Sequence, residues 1–340
     1  MKYPILHIIL ITIAFISCNP DLDTEEQPSL ALMEVPNGFP SIEHPTGNEF
    51  SEARWQLGKE LFYDPILSID GKISCSSCHR QEYAFADNNP VSIGANNLIG
   101  SRNAPTLANL AYHPYFTREG GVPTLEMQIL VPIQEHNEFN NNIVLIADTL
   151  NTIDKYKDLA KEAYDQEVNA FVITRSLALF ERSLISGLSH YDLEFNYNKA
   201  GSMTPKALRG KDLFFSDKTN CSSCHNGFNF TNYSFENNGL STEYVDIGRA
   251  RLTSEDNDIG LFKVPSLRNI EFTSPYMHDG SFHNLMDVIE HYNSGGKEHI
   301  NKSSKIKPLN LTDTEKEELL EFLHSLTDYT FLNNTIFSNE

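Results

Sequence analysis

The apolar positions of this chain fall into three kinds of run. The first is unbroken: PILHIILITIAFI, residues 4–16, follows Lys2 and ends at Phe-Ile-Ser-Cys. It is short for a bilayer span and has the charged end and apolar centre of an export signal. The second kind recurs at helical spacing. LGKELF (57–62) and RGKDLF (209–214) each place Leu and Phe on one helix face, and each leads toward a turn. EVNAFVITRSLALFERSLISGLSHYDLEF (167–195) has few helix breakers and is expected to form one long amphipathic helix. The third, LTDTEKEELLEFLHSLT (311–327), starts with a Thr312–Glu315 capping box and carries an apolar stripe of Leu319, Leu320, Leu323 and Leu326. No convincing series of alternating strand positions appears. The pattern predicts a mainly α protein with long loops. NKAGSMTP (198–205) has the Gly and Pro punctuation of a linker between two units.

The helical repeats belong to longer ones. LGKELFYDPILSIDGKISCSSCH (57–79) aligns with RGKDLFFSDKTNCSSCH (209–225): Gly-Lys, an acid, Leu-Phe, an aromatic, then Cys-Ser-Ser-Cys-His. One ancestral module has been duplicated, each copy with its own cofactor. Cys-x-x-Cys-His is the attachment sequence of c-type haem: two thiols add to the porphyrin vinyl groups and the next imidazole reaches the iron. This assigns Cys75, Cys78, Cys221 and Cys224 to two covalent haems, with His79 and His225 as axial ligands. Two Cys-x-x-Cys pairs could also hold zinc, but zinc leaves unexplained why a His follows both pairs. A redox dithiol is disfavoured by the duplication.

The fifth cysteine, Cys18, closes the apolar leader in a sequence that resembles a bacterial lipoprotein processing box. The expectation is a signal peptide over 1–17 and lipid attachment at Cys18; an ordinary secretory signal is the alternative. Residues 18–45, acidic and Pro-containing, read as a flexible tether. The chain would then be exported, in the periplasm or at the outer membrane, and held to the membrane only by lipid. No cysteine is left for a structural disulfide. The 340 residues carry 46 acidic against 26 basic side chains, a net charge of −20. No basic cluster supports nucleic-acid binding, whereas an acidic surface could steer a basic redox partner.

From about residue 50 to 328 the chain resembles the bacterial di-haem cytochrome c peroxidases and their MauG-like relatives. The resemblance rests on LFYDPILSIDGKISCSSCH, GSRNAPTLANLAY, GVPTLEMQILVPI, FERSLISG and FKVPSLRNIEFTSPYMHDGSFHNLMDVIEHY, in matching order. It implies two cytochrome-c-like haem domains, an N-terminal peroxidatic one (46–197) and a C-terminal electron-transfer one (198–332). It places the family's distal glutamate on Glu138 and its glutamine on Gln128. Peroxide must lose a proton from one oxygen and gain one on the other, which such a pair can manage. A lone loop Glu is ordinarily a solvated charge; the resemblance singles this one out. It also implies an inter-domain Ca²⁺ held by Asn103 and the carbonyls of Thr273 and Pro275.

Three departures stand against the family pattern. The His that caps many resting peroxidatic haems falls on Ala95, leaving that haem open unless His113 or His136 substitutes. The tryptophan between the haems falls near Arg118. The distal Met of the C-terminal haem falls on Tyr292, as in MauG-like proteins, with Met286 or His291 as alternatives; tyrosinate would stabilise ferric and higher-valent iron. The leading expectation is a peroxidase that reduces hydrogen peroxide to water with electrons from a small donor such as a c-type cytochrome. The alternatives are a MauG-like oxidase acting on a partner protein or small molecule, and a non-catalytic electron-transfer lipoprotein. A homodimer is compatible with each.

Overall fold

The structure, a computed structural model, describes residues 30–339. The leader, Cys18 and the first part of the tether lie outside the described residues. The N-terminal half contains α1 (Glu52–Tyr63), α2 (Cys75–Cys78), α3 (Leu125–Gln128), α4 (Leu130–Gln134), α5 (Ile143–Leu150), α6 (Asp154–Tyr164), α7 (Ala170–Arg182) and α8 (His190–Phe195). The C-terminal half contains α9 (Pro205–Phe214), α10 (Ala250–Thr253), α11 (Leu285–Ser294), α12 (Asp313–His324) and α13 (Tyr329–Leu332). Among the described residues the one sheet pairs β1 (Phe235–Glu236) antiparallel with β2 (Phe262–Lys263). No helix among them is long and apolar enough to cross a membrane.

Each half is built on one helix crossing. Ser51 caps α1, its hydroxyl accepting from Arg54 N at 3.3 Å, and Leu57, Gly58, Leu61 and Phe62 turn inward against α7. Thr204 caps α9, Pro205 fills the first turn where no N–H is needed, and Ala207, Gly210 and Phe214 turn inward toward α12. The capping box at Thr312 and Glu315 forms as expected. At both crossings the helices meet on a glycine. A Cβ on Gly58 would overlap the Ser176 carbonyl and lie 3.0 Å from Phe180 Cβ. A Cβ on Gly210 would overlap the Glu318 carbonyl and lie 3.0 Å from Phe322 Cβ. Behind each glycine stand matched rings: Phe62–Phe180 and Phe214–Phe322 both have centroids 4.9 Å apart.

A second repeat, offset by 160 residues, runs through the loops. Asn109 and Asn269 are fully buried in left-handed conformations (φ 62° and 58°), and donate their N–H groups to Leu184 O (2.8 Å) and Leu326 O (3.1 Å). Bridges Phe116–Val122 and Tyr276–Phe282 match as well, as do Gly120 and Gly280.

Three expectations about chain organisation are corrected. The helix anticipated over 167–195 stops at Arg182 and resumes at His190. Residues 183–189 between them are buried and spend their backbone groups on distant partners: Ser186 N donates to Asn109 Oδ1 (2.9 Å), and Gly187 N and Leu188 N donate to Asp328 Oδ2 (both 2.9 Å). Within 18–45, the described residues 36–39 are packed rather than free: Pro36 is buried against Gly187, and Phe39 lies 4.7 Å from Phe228 with the Arg268 guanidinium over it at 4.6 Å. The chain end also returns to the first half. Phe331, Leu332 and Phe337 join the N-terminal core, and Lys59 Nζ donates to Ile336 O at 2.8 Å. The stretch from Tyr329 onward therefore belongs with the N-terminal domain.

Because carbonyl oxygens abut both crossing glycines, Gly58→Ala and Gly210→Ala should each cost more than the ~1–3 kcal/mol of ordinary overpacking. The check is the thermal midpoint of the haem-loaded protein. Unchanged midpoints would mean that the crossings have room to shift.

Candidate functional site

The two Cys-Ser-Ser-Cys-His segments follow the crossing helices and sit in equivalent places. In the first, Ser74 and Ser77 form a capping box that starts α2, and His79 N donates to Cys75 O at 2.9 Å. In the second, left-handed Asn220 starts a tighter turn over Cys221–Ser223, and His225 N donates to Cys221 O at 3.0 Å. Each imidazole is then oriented by backbone carbonyls. His79 Nδ1 lies 2.9 Å from Phe85 O, and His225 Nδ1 lies 3.1 Å from Phe230 O. A carbonyl only accepts, so both Nδ1 atoms carry the proton and both Nε2 lone pairs are free for a metal. Phe85 and Phe230 reach these positions through left-handed backbone (φ 58° and 49°). Burial lowers both imidazole pKa values, His225 to about 4, which keeps the rings neutral.

Around His225 the structure opens a cavity whose walls fit a porphyrin. Cys221 and Cys224 lie on it beside His225, and Val288, Ile289, Leu319 and Leu323 give it apolar sides. Tyr292, Met277 and His278 line it as well. Burial pushes the Tyr292 phenol up to about 12, with an Asn238 side-chain hydrogen bond acting the other way. Asn238 Nδ2 also lies 3.2 Å from Met277 Sδ. Of the other residues considered for this iron, His291 donates from Nε2 to Asn238 O (3.0 Å), and neither it nor Met286 lines the cavity. Met277, with φ 76°, was not anticipated; the Tyr-Met-His-Asp-Gly turn is where a sequence signal lay.

Near the first haem segment, Glu138 and Gln128 are carried by one compact unit. Gln128 ends α3, and its side-chain Oε1 is buried without a hydrogen-bond partner among the described residues. Pro132, inside α4, cannot donate to the Gln128 carbonyl, so one helical hydrogen bond is missing there while Ile129 between α3 and α4 keeps helical backbone angles. The chain then folds back, Phe139 N donating to Pro132 O at 3.1 Å, which presents Glu138 on a turn. Gly94 closes that turn from the other side, since a Cβ there would overlap Asn137 O, and Ala95 N donates to Glu138 O at 2.8 Å. Glu138 is exposed at the edge of this unit, yet the surrounding protein and then Glu135 push its carboxyl up to about 7. Ala95 is fully buried beside it. Neither substitute histidine joins the unit from elsewhere. His113 is half-buried against Phe116 and Tyr233, and His136 is exposed with Nδ1 3.3 Å from Asn140 Oδ1.

The duplication exposes one residue that sequence reasoning missed. Phe180 matches Phe322 across the helix crossings, so Glu181 takes the position of Leu323, which lines the second cavity. Glu181 is 7% exposed, and burial pushes its carboxyl up to about 8. By the 160-residue offset Gln128 takes the position of Val288, another lining residue, and Pro132 that of Tyr292. Of the residues expected to hold calcium, Asn103 is buried and its side-chain and backbone oxygens both accept from Arg118. The Thr273 hydroxyl turns to Ile270 O (3.4 Å), and Pro275 follows it in the same loop.

Residues 52–200 match the family model of the di-haem cytochrome c peroxidases. The methylamine utilization protein MauG of Methylorubrum extorquens is 32% identical over 308 residues, covering 89% of this chain and 86% of that protein. The cytochrome c551 peroxidase of Pseudomonas aeruginosa is 30% identical over 291 residues, covering 83% and 80%. Among solved structures, a MauG-like protein associated with microbial copper homeostasis superposes with TM-score 0.86 at 32% identity, over 90% of this chain and 98% of that one.

Removal of each thiol pair should be separable. Cys75→Ala with Cys78→Ala, and Cys221→Ala with Cys224→Ala, are each expected to lower the intact mass by one haem. Loss of both haems from either double variant would mean that the segments are not independent attachment points.

Proposed function

This chain belongs to the di-haem cytochrome c peroxidase and MauG family, and on that premise we propose how its two haem sites divide the work of reducing hydrogen peroxide. The first site, in residues 46–197, handles peroxide; the second, in residues 198–328, receives electrons from a small donor such as a c-type cytochrome. Cys75 and Cys78 hold one haem and Cys221 and Cys224 the other, with His79 and His225 as axial ligands. Bound haem would relay the donor's electrons and supply the metal at which peroxide is reduced. The rest is the chain's own chemistry.

The observation that carries this reading is the pairing of Glu138 with Gln128 on one unit beside the first attachment segment. Glu138 takes the proton from one peroxide oxygen and delivers it to the other as the O–O bond breaks. That oxygen leaves as water; two electrons and two further protons convert the remaining oxygen to water. Gln128, with its unpartnered Oε1, accepts a hydrogen bond from peroxide and orients it. A carboxyl poised at about 7 can both accept and return a proton near neutral pH. Ala95 provides no imidazole to close this site.

Tyr292 favours a second reading. With a phenolate as its distal ligand, the second haem would be stabilised in oxidised states, which suits an oxidase that acts on a partner protein or small molecule. The leader and Cys18 support export to the periplasm or outer membrane with a lipid anchor. Calcium is not part of this reading, because the oxygens of Asn103 already face a guanidinium.

Glu138→Gln should reduce peroxide turnover by ~10²–10⁴-fold, the usual worth of a positioned acid–base group. In the wild type the proton-accepting carboxylate is lost as pH falls through about 7, so kcat/KM should drop on the acid side. Persistence of that acidic limb in Glu138→Gln would assign it to another group. Electron paramagnetic resonance of the ferric protein should give one high-spin and one low-spin haem, and Tyr292→Phe should abolish the low-spin signal. Two low-spin signals in the wild type would remove the open peroxide site. Turnover with reduced cytochrome c, compared with bulky organic donors, separates the two readings.

A further inference from the structure

Where the two halves meet, the 160-residue repeat pairs with itself. Asn103 N donates to His278 O at 2.9 Å, and Lys263 N donates to Arg118 O at 2.7 Å. Lys263 is the counterpart of Asn103, and His278 that of Arg118. The interface is therefore a local two-fold made of equivalent loops. Each side of it ends in a cation on a carbonyl. Arg118 donates to Asn103 O from Nε (3.2 Å) and Nη2 (2.7 Å), and from Nη2 to Asn103 Oδ1 (3.2 Å). Lys263 Nζ donates to Tyr115 O at 2.9 Å and lies 3.5 Å from His113 Nδ1.

The correspondence reaches the residues expected to bind calcium. Tyr115 and His113 are the counterparts of Pro275 and Thr273, so the set Asn103, Thr273, Pro275 has Lys263, His113, Tyr115 as its image. In that image an ammonium already sits on the carbonyl. In the set itself a guanidinium already holds both oxygens of Asn103. Neither cation has a carboxylate within salt-bridge distance among the described residues; Glu119 and Asp246 are taken by Arg102 instead. A divalent ion on Asn103 Oδ1 would share one oxygen with a buried guanidinium, with no carboxylate in the ligand set itself; Asp279, Asp246 and Glu119 favour the charged guanidinium from beyond salt-bridge distance. Among the described residues no group of three His, Cys, Asp or Glu could hold a metal ion.

We propose that Arg118 takes the place of an inter-domain metal ion, so that the halves are joined by the chain's own cations and no calcium binds at Asn103. Arg118 is a positioning residue: it lines the second haem cavity with His278 and Lys263 and ties that wall to the loop carrying Asn103.

The test uses the full haem-loaded chain and does not read peroxide turnover, so its failure leaves the peroxidase reading standing. After desalting, elemental analysis should find no stoichiometric calcium. Treatment with EGTA and then Ca²⁺ should leave the electron paramagnetic resonance spectrum and thermal midpoint unchanged. Arg118→Gln should lower the midpoint by several degrees and broaden the low-spin signal, with added Ca²⁺ reversing both by occupying the vacated oxygens. One calcium per wild-type chain, or a spectrum that EGTA alters and Ca²⁺ restores, overturns the proposal. So does an Arg118→Gln protein with wild-type midpoint and spectrum in EGTA. Should Arg118→Gln not accumulate, the wild-type metal content and EGTA response decide the matter alone.

Discussion

Each haem-binding half depends on a helix crossing so close that a single carbon does not fit. Gly58 rests on the Ser176 carbonyl and Gly210 on the Glu318 carbonyl. Without a Cβ the backbones approach to contact, and the phenylalanines one turn later stack behind them. The consequence for function is positional. α1 and α9 each lead toward an attachment segment, so fixing their crossings fixes where the thiols and imidazoles stand relative to α7 and α12. Residues immediately after the stacked rings, Glu181 in one half and Leu323 in the other, occupy matching places beside those segments.

Identical frames make the differences between the halves chemically legible. Val288, Leu323 and Tyr292 line the second cavity. Their counterparts by chain offset are Gln128, Glu181 and Pro132. One frame thus surrounds its site with hydrocarbon and a phenol, and the other with an amide, a buried carboxyl and a proline. By the same offset Glu138 falls on Glu298, whose carboxylate is exposed and paired with Lys302 at 2.6 Å. The helices before the two turns end at matching positions, Gln134 and Ser294, so the frame carries a glutamate into both. What distinguishes the two glutamates is what surrounds them: neighbouring protein and Glu135 around Glu138, an ammonium beside Glu298.

What could be read along the chain was local. The mainly α fold, the Thr312 capping box, the module repeat and the thiol–imidazole segments are all encoded within a few residues of each other. The break after Arg182 was not, since the Ser-Leu-Ile-Ser-Gly-Leu-Ser run keeps an apolar rhythm that suits a helix. It leaves the helix because Asn109 and Asp328, far off in sequence, offer its backbone better partners. Phe39 and Phe331 were missed for the same reason: a short apolar residue in a polar stretch shows no periodicity until its receiving surface exists. The 160-residue loop repeat escaped because few identities survive in it. Its signature is backbone shape, as in left-handed Asn109 and Asn269.

Duplicated halves pose a problem of specificity, since apolar faces so alike could dock in more than one register. The answer here is a buried polar seam. Arg268 pairs with Asp192 through two hydrogen bonds of 2.7 and 3.0 Å, both residues fully buried. The same guanidinium donates to Phe228 O and covers the Phe39 ring. Beside it, Asn229 Oδ1 accepts from Asn109 Nδ2 at 3.1 Å and from Ser266 Oγ at 3.2 Å, joining the two halves directly. Such a pair adds little stability over hydrocarbon, but misplacing either partner leaves a buried charge at a cost of about 3–5 kcal/mol. Any slipped docking would incur that cost along with the lost amide contacts. Register between two nearly equivalent frames is therefore set by polar groups that cannot be left alone, and the separation of the two haem sites is set with it.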